Sequence, residues 1–480
     1  MTPGSASDGH DLLELSAVRL VDMMRSGDLS SRELTQAHLD RIAAVDGPLN
    51  AVVTLDPERA LTEAAAADER RASGHSLGLL HGLPMTHKDT HAVAGMRSTF
   101  GSPLFADHVP ETDDRIIARL RRAGAVSTGK SNVPEFGAGS HTFNEVFGVT
   151  RNPYDTAVSA GGSSGGLAAA LAARIQPLGE GSDMGGSLRI PASFCNVYGF
   201  RPSLGVIPSH GEAHRSAWLG RQGPMARNVR DIRLFMAACS GPAGGLPGLR
   251  SMSGDEFAES GPASLRGVRV GVTRTFGTDM PLQPEMSEAV DRAAAVLTEL
   301  GAEVQEVVVD LSAAQEVFHV ARAFDFAAAY GEFVRASPEQ VKEEVVWNVE
   351  EGFALDVPRI IRANALSAQL QDECDRLFDS CDLLLSPGCQ VVPFPVEHRY
   401  PAEVAGVPMS TYLGWMSSAT ILSATGLPTL AVPAGFTASG LPTGVQLSAP
   451  HYGDALLLRR AQAYDEATEW PTVAPGASKS

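Results

Sequence analysis

SAGGSSGG (159–166), LAAALAARI (167–175) and QPLGEGSDMGGSLRIPASFCNVYGFRPS (176–203) run on without a break, and their reading decides the fold. Two glycine-flanked serines, Ser163 and Ser187, stand on either side of a helix of small residues. Glycine lacks a Cβ and adopts positive φ readily, so such patches let backbone approach a reacting group. Either patch alone is a weak signal. Together they call for a third partner.

That partner is Lys88, in HGLPMTHKDTHAVAGM (81–96). Lone lysines are ordinarily solvated, but Lys88 follows GLPMTH, a stretch with little other charge, which favours partial burial. Burial disfavours the ammonium and lowers its pKa, turning an amine into a base near neutral pH. The combination points to acyl transfer. His81, His87 and His91 lie close by in the chain, yet their spacing matches no H-E-x-x-H pattern and no Cys or Glu completes a ligand set. No metal site is expected.

SAGGSSGG admits three other readings. A Gly/Ser linker would not lead at once into an apolar helix. A phosphate loop needs G-x-x-x-x-G-K-[ST], and no lysine follows. Gly161-Gly162-Ser163-Ser164-Gly165 satisfies the G-x-S-x-G nucleophile elbow literally, but that elbow needs a strand before it, and TRNPYDTAVS (150–159) is loop chemistry. In the second patch, the consecutive amides of Met184, Gly185, Gly186 and Ser187 are placed to converge on one point, as an oxyanion hole requires. The Ser187 hydroxyl is expected to face the same point. Asp183 and Arg189 flank this loop and read as an ion pair that fixes it.

Composition sets the limits. A chain of 480 residues, 44% hydrophobic and 20% charged, is an ordinary globular protein long enough for a substantial core. A net charge of −18 argues against nucleic acid or an anionic membrane as partner. No apolar run reaches the roughly 18 residues that a membrane helix needs, and MTPGSASDGHDLLELS lacks the pattern of a Sec signal. The five cysteines, without C-x-x-C spacing, fit reduced thiols, and Cys195 reads as a small core residue. A cytoplasmic location is the expectation. A homodimer, the commonest soluble assembly, stays open.

Helical and strand patterns alternate along the chain. Apolar spacing predicts one helix over 11–26, and Ser30-Ser31 caps a second with Glu33 early and Arg41 late. Residues 57–73 read as an exposed helix, and 113–124 as a helix stopped by Gly124 before the strand AVSTGK. VRVGVTR (268–274) and AEVQEVVVD (302–310) bracket a helix at 285–299, a β-α-β unit. DLLLSP (382–387) and TLAVPAG (429–435) are further buried strands. GPAGGLPGL (241–249) reads as a surface loop.

Taken together, these motifs resemble the amidase signature family of serine hydrolases. The resemblance covers nearly the whole chain: GKSNVPEFG (129–137), TRNPYD (150–155), GSDMGGSLRIPAS, YGFRPSLG and GLPTLAVPAGFTASGLPTGVQL (426–447) follow in the family's order. It implies an α/β fold with a large mixed, twisted sheet covered on both faces by helices. It implies one domain over 1–480, with a catalytic core at about 80–205, a substrate-pocket region at about 205–415 and a closing segment at about 416–470. It also implies a Ser-cisSer-Lys triad with Ser187 as nucleophile, Ser163 as bridge and Lys88 as ultimate base, and a cis peptide between Gly162 and Ser163. Gly137 matches a position that lines the acyl site in some relatives. No cofactor or metal is implied.

The implied reaction is hydrolysis of a carboxamide through an acyl-serine, giving an acid and ammonia or an amine. Trp218, Phe318, Phe324, Phe326, Tyr330, Phe333, Trp347, Tyr412 and Trp415 lie in the expected pocket region and favour an apolar or aryl acyl group. The alternative is the glutaminase-type subunit of a tRNA-dependent amidotransferase, whose partner chains would carry the tRNA contacts.

Overall fold

The computed structural model describes residues 9–208, 217–242, 250–258 and 264–476. Strands β1 (Val52–Leu55), β2 (Pro84–Lys88) and β3 (Val126–Ser131) form a small sheet in the order β1-β3-β2. A short hairpin, β4 (Phe143–Asn144) with β5 (Gly148–Val149), follows. The main sheet takes β6 (Leu178–Asp183), β7 (Tyr198–Arg201), β8 (Arg221–Ala226), β9 (Arg269–Val272), β10 (Glu303–Glu306) and β11 (Leu383–Pro387). After a second hairpin, β12 (Glu403–Val404) with β13 (Val407–Pro408), it is completed by β14 (Thr429–Phe436) and β15 (Pro442–Ser448). Its order is β10-β9-β11-β15-β14-β7-β8-β6. β9 pairs in parallel with β10 and β11, and the remaining neighbours are antiparallel, so the sheet is mixed.

Alternation explains why DLLLSP and TLAVPAG look apolar throughout. Successive side chains of a strand point to opposite faces. Leu383 and Leu385 enter one core with Leu430 and Val432, while Leu384 and Ala431 enter the other. Helices Val229–Cys239, Pro284–Glu299 and Asp454–Ala467 cover the first face. Helices Gly165–Ala172, Arg189–Phe194 and Ser417–Thr425 cover the second.

The β-α-β unit forms with the expected helix, although its second strand is only Glu303–Glu306. The helix expected over 11–26 divides into Gly9–Glu14 and Ala17–Ser26. Ser16 stops the first by capping the second, its hydroxyl accepting the Arg19 N–H at 3.2 Å, and Asp231 takes the Ala17 and Val18 N–H groups. The helix Pro57–Ala72 is not exposed all round, because Ala60 and Ala64 are buried. Most of GPAGGLPGL lies outside the described residues.

The small-residue helix after the first serine patch is small for a packing reason. A Cβ on Gly166 would sit 2.3 Å from the Asn132 N atom and 2.7 Å from the Ala51 carbonyl oxygen, neither of which can rotate away. Gly166→Ala should therefore lower stability by about 1–3 kcal/mol, despite the helical preference for alanine. The thermal midpoint checks this, and an unchanged or raised midpoint would contradict the close approach.

Candidate active site

Lys88 ends β2, a strand buried over its whole length. β2 packs beside β6 without pairing to it, and the Glu180 carboxylate bridges them by accepting the Lys88 backbone N–H at 2.8 Å. The Lys88 side chain is fully buried. Its Nζ donates to Ser163 Oγ at 2.8 Å, to Ser182 Oγ at 2.9 Å and to the Ser182 carbonyl at 3.4 Å. Burial pulls its pKa down to about 7, against the opposing charges of Glu180 and Asp183. An amine so poised is within reach to exchange a proton with Ser163.

Ser163 follows a cis peptide bond from Gly162. A side chain at Gly162 would be crowded, since a Cβ there would lie 3.0 Å from the His141 N atom and from Thr142 Oγ1. Thr142 holds the loop on both sides: its hydroxyl donates to the Gly161 carbonyl at 2.9 Å and accepts the Gly165 N–H at 3.2 Å. The residues leading into this loop make isolated bridges and not the regular strand that a nucleophile elbow requires.

Ser187 sits in the turn between β6 and the helix Arg189–Phe194. Its carbonyl accepts the Ser164 N–H at 3.1 Å, which ties the two serine loops together. Ser187 is 7% exposed and lines the same cavity as Ser163. Among the described residues no hydrogen bond joins the two hydroxyls, so the bonded chain runs from Lys88 to Ser163.

Asp183 fixes the loop. Arg189 grips it with two bonds of 3.0 Å, and Arg201 stands 3.5 Å away. Burial pushes this carboxyl up, but the guanidiniums of Arg189 and Arg201 outweigh it and hold Asp183 below the usual carboxylate range. Asp183 also accepts the N–H groups of Gly186 at 2.8 Å and Leu188 at 3.1 Å. That corrects one expectation: the Gly186 amide is committed to Asp183 and does not point to a shared oxyanion site. The amides of Met184, Gly185 and Ser187 have no acceptor among the described residues.

Across residues 33–458 the chain matches the family model described as Amidase. It belongs to the amidase family. This amidase is 33% identical to an acylamidase of Rhodococcus erythropolis, over 97% of its own length and 98% of the relative's. It is 36% identical to a glutamyl-tRNA(Gln) amidotransferase subunit of Moorella thermoacetica, over 96% and 98%. The solved structure of a bacterial aryl acylamidase among the amidase signature enzymes superposes with a TM-score of 0.88 at 28% identity, covering 95% of this chain and 97% of that one. The protein is accordingly a hydrolase acting on carbon–nitrogen bonds of amides.

The amidase's main cavity, about 520 Å³, is floored by Gly137, Ser163, Ser182, Met184 and Ser187. One wall is aromatic, with Phe100, Phe105 and Phe136 facing Phe326, Tyr330 and Phe333 of the helix Ala314–Ala336. Phe136 stacks on Tyr330 with ring centroids 4.6 Å apart, and Phe105 meets Phe333 edge-on at 5.4 Å. Arg322 is held at the cavity edge by Tyr412 Oη at 2.6 Å and Asn348 Oδ1 at 3.0 Å, over the Phe326 ring. Burial pushes the neighbouring Asp325 carboxyl up to about 7.

The aromatic lining of this cavity thus also draws on residues before 205. Of the aromatics expected there, Phe326, Tyr330 and Phe333 line the main cavity. Trp218 and Phe324 line a neighbouring one of about 250 Å³, and Trp347 a third of about 200 Å³. Phe318, Tyr412 and Trp415 are buried in packing. Sequence reading misses Phe100, Phe105 and Phe136. Phe136 reaches Tyr330 from a left-handed φ of 49°, a conformation rare for a bulky residue and signalled by no local pattern. Ser182 is a further miss, although it lies inside GSDMGGS.

Proposed function

We propose that this amidase hydrolyses carboxamides of apolar or aryl acids through a serine acyl-enzyme, with Ser187 as nucleophile, Ser163 as relay and Lys88 as base. The observation that carries the reading is the 2.8 Å bond from a buried Lys88 to Ser163, on a cavity that also holds Ser187. Neutral Lys88 takes the Ser163 proton while Ser163 takes that of Ser187. Ser187 Oγ attacks the carbonyl carbon, and the oxyanion develops toward the amides of Met184, Gly185 and Ser187. The relay in reverse protonates the nitrogen as the C–N bond breaks. Water, deprotonated by the same groups, then cleaves the acyl ester and restores Ser187.

The aromatic wall supports the choice of acyl group. Burying a phenyl ring is worth about 1.5–3 kcal/mol, so Phe136→Ala should lower kcat/KM for aryl amides roughly 10–100-fold and leave small aliphatic amides nearly unchanged. A panel of anilides, aliphatic amides, esters and hydrazides, assayed for released acid, tests the reading. Turnover confined to small polar amides such as malonamide would end the aryl assignment.

A glutaminase-type amidotransferase subunit is the second reading, favoured by the 36% identity to one such protein. Copurification with two partner chains, together with glutamine turnover and no aryl-amide turnover, would move the function there. The phenyl-lined wall argues the other way.

A further inference from the structure

Behind Lys88 lies a buried polar cluster that the relay does not use. Glu180 stands inside β6 with its carboxylate sealed from solvent. One oxygen accepts the Lys88 backbone N–H, and the other lies 2.6 Å from His91 Nδ1. His87 Nδ1 is 3.5 Å from the first oxygen, and its Nε2 is bonded to Ser127 Oγ at 2.9 Å. His91 alone of the three reaches the substrate cavity. A buried carboxylate is costly, and a neutral glutamine would accept the buried Lys88 N–H and join the two strands as well. Stability therefore does not account for the charge. Its distinctive product is a fixed charge beside Lys88.

We propose that Glu180, held and balanced by His91, is a positioning residue that sets the proton affinity of Lys88 and so the pH range in which the amidase works. The inference rests on Lys88 acting as the base.

The surrounding charges leave Glu180 in that role. Asp183, the other carboxylate that acts on Lys88, is tied to Arg189 and Arg201. On β3, Lys130 donates to the His91 carbonyl and to Ser98 Oγ, and lies 3.8 Å from Asp89. Asp89 is in turn held by Thr99. Arg121 bears on His87, Asp114 bears on Lys130, and the charge of Glu180 is felt by the Cys239 thiol. Glu180 is the carboxylate of this set whose side-chain partners are histidines rather than an arginine or lysine. Burial pushes its carboxyl up, but the interactions with its histidine neighbours, His91 at 2.6 Å foremost, outweigh it and hold it below the usual range. It stays ionised and raises the Lys88 pKa against the fall that burial imposes.

Glu180→Gln keeps the volume and an acceptor for the Lys88 N–H while removing the charge. The acid limb of kcat/KM should then move about one pH unit lower, with KM little changed. Should that protein not fold, the combined variant Glu180→Gln, His91→Gln removes the charge together with its hydrogen-bonded partner while keeping an acceptor for the Lys88 N–H, and the same downward shift is expected. A limb that stays in place or moves up in a folded variant overturns the inference. A wild-type profile with no acid limb, or an active Lys88→Met protein, would instead end the assignment of Lys88 as base.

Discussion

Ser187→Ala is expected to lower kcat/KM for amide hydrolysis by about 10⁴-fold or more while the fold stays intact. Removing the nucleophile of a serine hydrolase leaves only the residual catalysis of binding and oxyanion contacts. The structure explains why the change should be clean. The contact that ties the Ser187 loop to the first patch is its backbone carbonyl, which accepts the Ser164 N–H and survives the substitution. The loop is otherwise held by Asp183 through Arg189, Gly186 and Leu188, none of which uses the Ser187 hydroxyl. Ser163→Ala should also be severe, so activity alone does not separate nucleophile from relay. Covalent labelling does. A slowly hydrolysed aryl ester should leave its acyl group on the peptide containing Ser187. An adduct on Ser163, or a Ser187→Ala protein within tenfold of wild type, would reverse the two roles.

Those roles can be weighed from sequence because the relevant chemistry is local. Gly161–Gly166 and Asp183–Arg189 are each continuous, and glycine, serine and a neighbouring ion pair announce a backbone turned toward a reacting group. The main strands were legible for a related reason. DLLLSP and TLAVPAG carry apolar residues on both faces, which only a sheet covered on both sides requires. What stayed hidden depends on distant segments meeting. Nothing near Phe105 marks it as facing Phe333, since that contact exists only once the helix Ala314–Ala336 packs over the loop. The histidines of HGLPMTHKDTH show the same limit. They read as a failed metal set, because the carboxylate that gathers His87 and His91 lies on β6, far along the chain. The Gly186 amide failed differently: counting consecutive amides ignores which of them a neighbouring carboxylate takes.

Lys88→Met is expected to abolish activity and, at mildly acid pH, to raise the thermal midpoint. The activity follows from the protonation state that the base requires. Burial draws the Lys88 pKa to about 7, so wild-type kcat/KM should fall about tenfold per unit below that pH and level off above it. Full activity at pH 5 would contradict a lysine base. The stability follows from the same shift with its sign kept. Below about pH 7 Lys88 is charged in both folded and unfolded chains, and the fold bears the whole cost of burying an ammonium. Between about 7 and the ordinary lysine value of 10.5 the unfolded chain binds the extra proton, so stability rises with pH across that window. Above it the two states agree and the cost is gone. Methionine carries no such cost and fills a similar space. Its advantage over wild type should be largest near pH 6 and shrink toward pH 10. A variant less stable than wild type at pH 6 would mean that the bonds from Nζ to Ser163 and Ser182 outweigh the buried charge. The opposite outcome, an inactive protein that melts later in acid, would show that the fold keeps an amine here against its own stability, for the sake of the proton it exchanges.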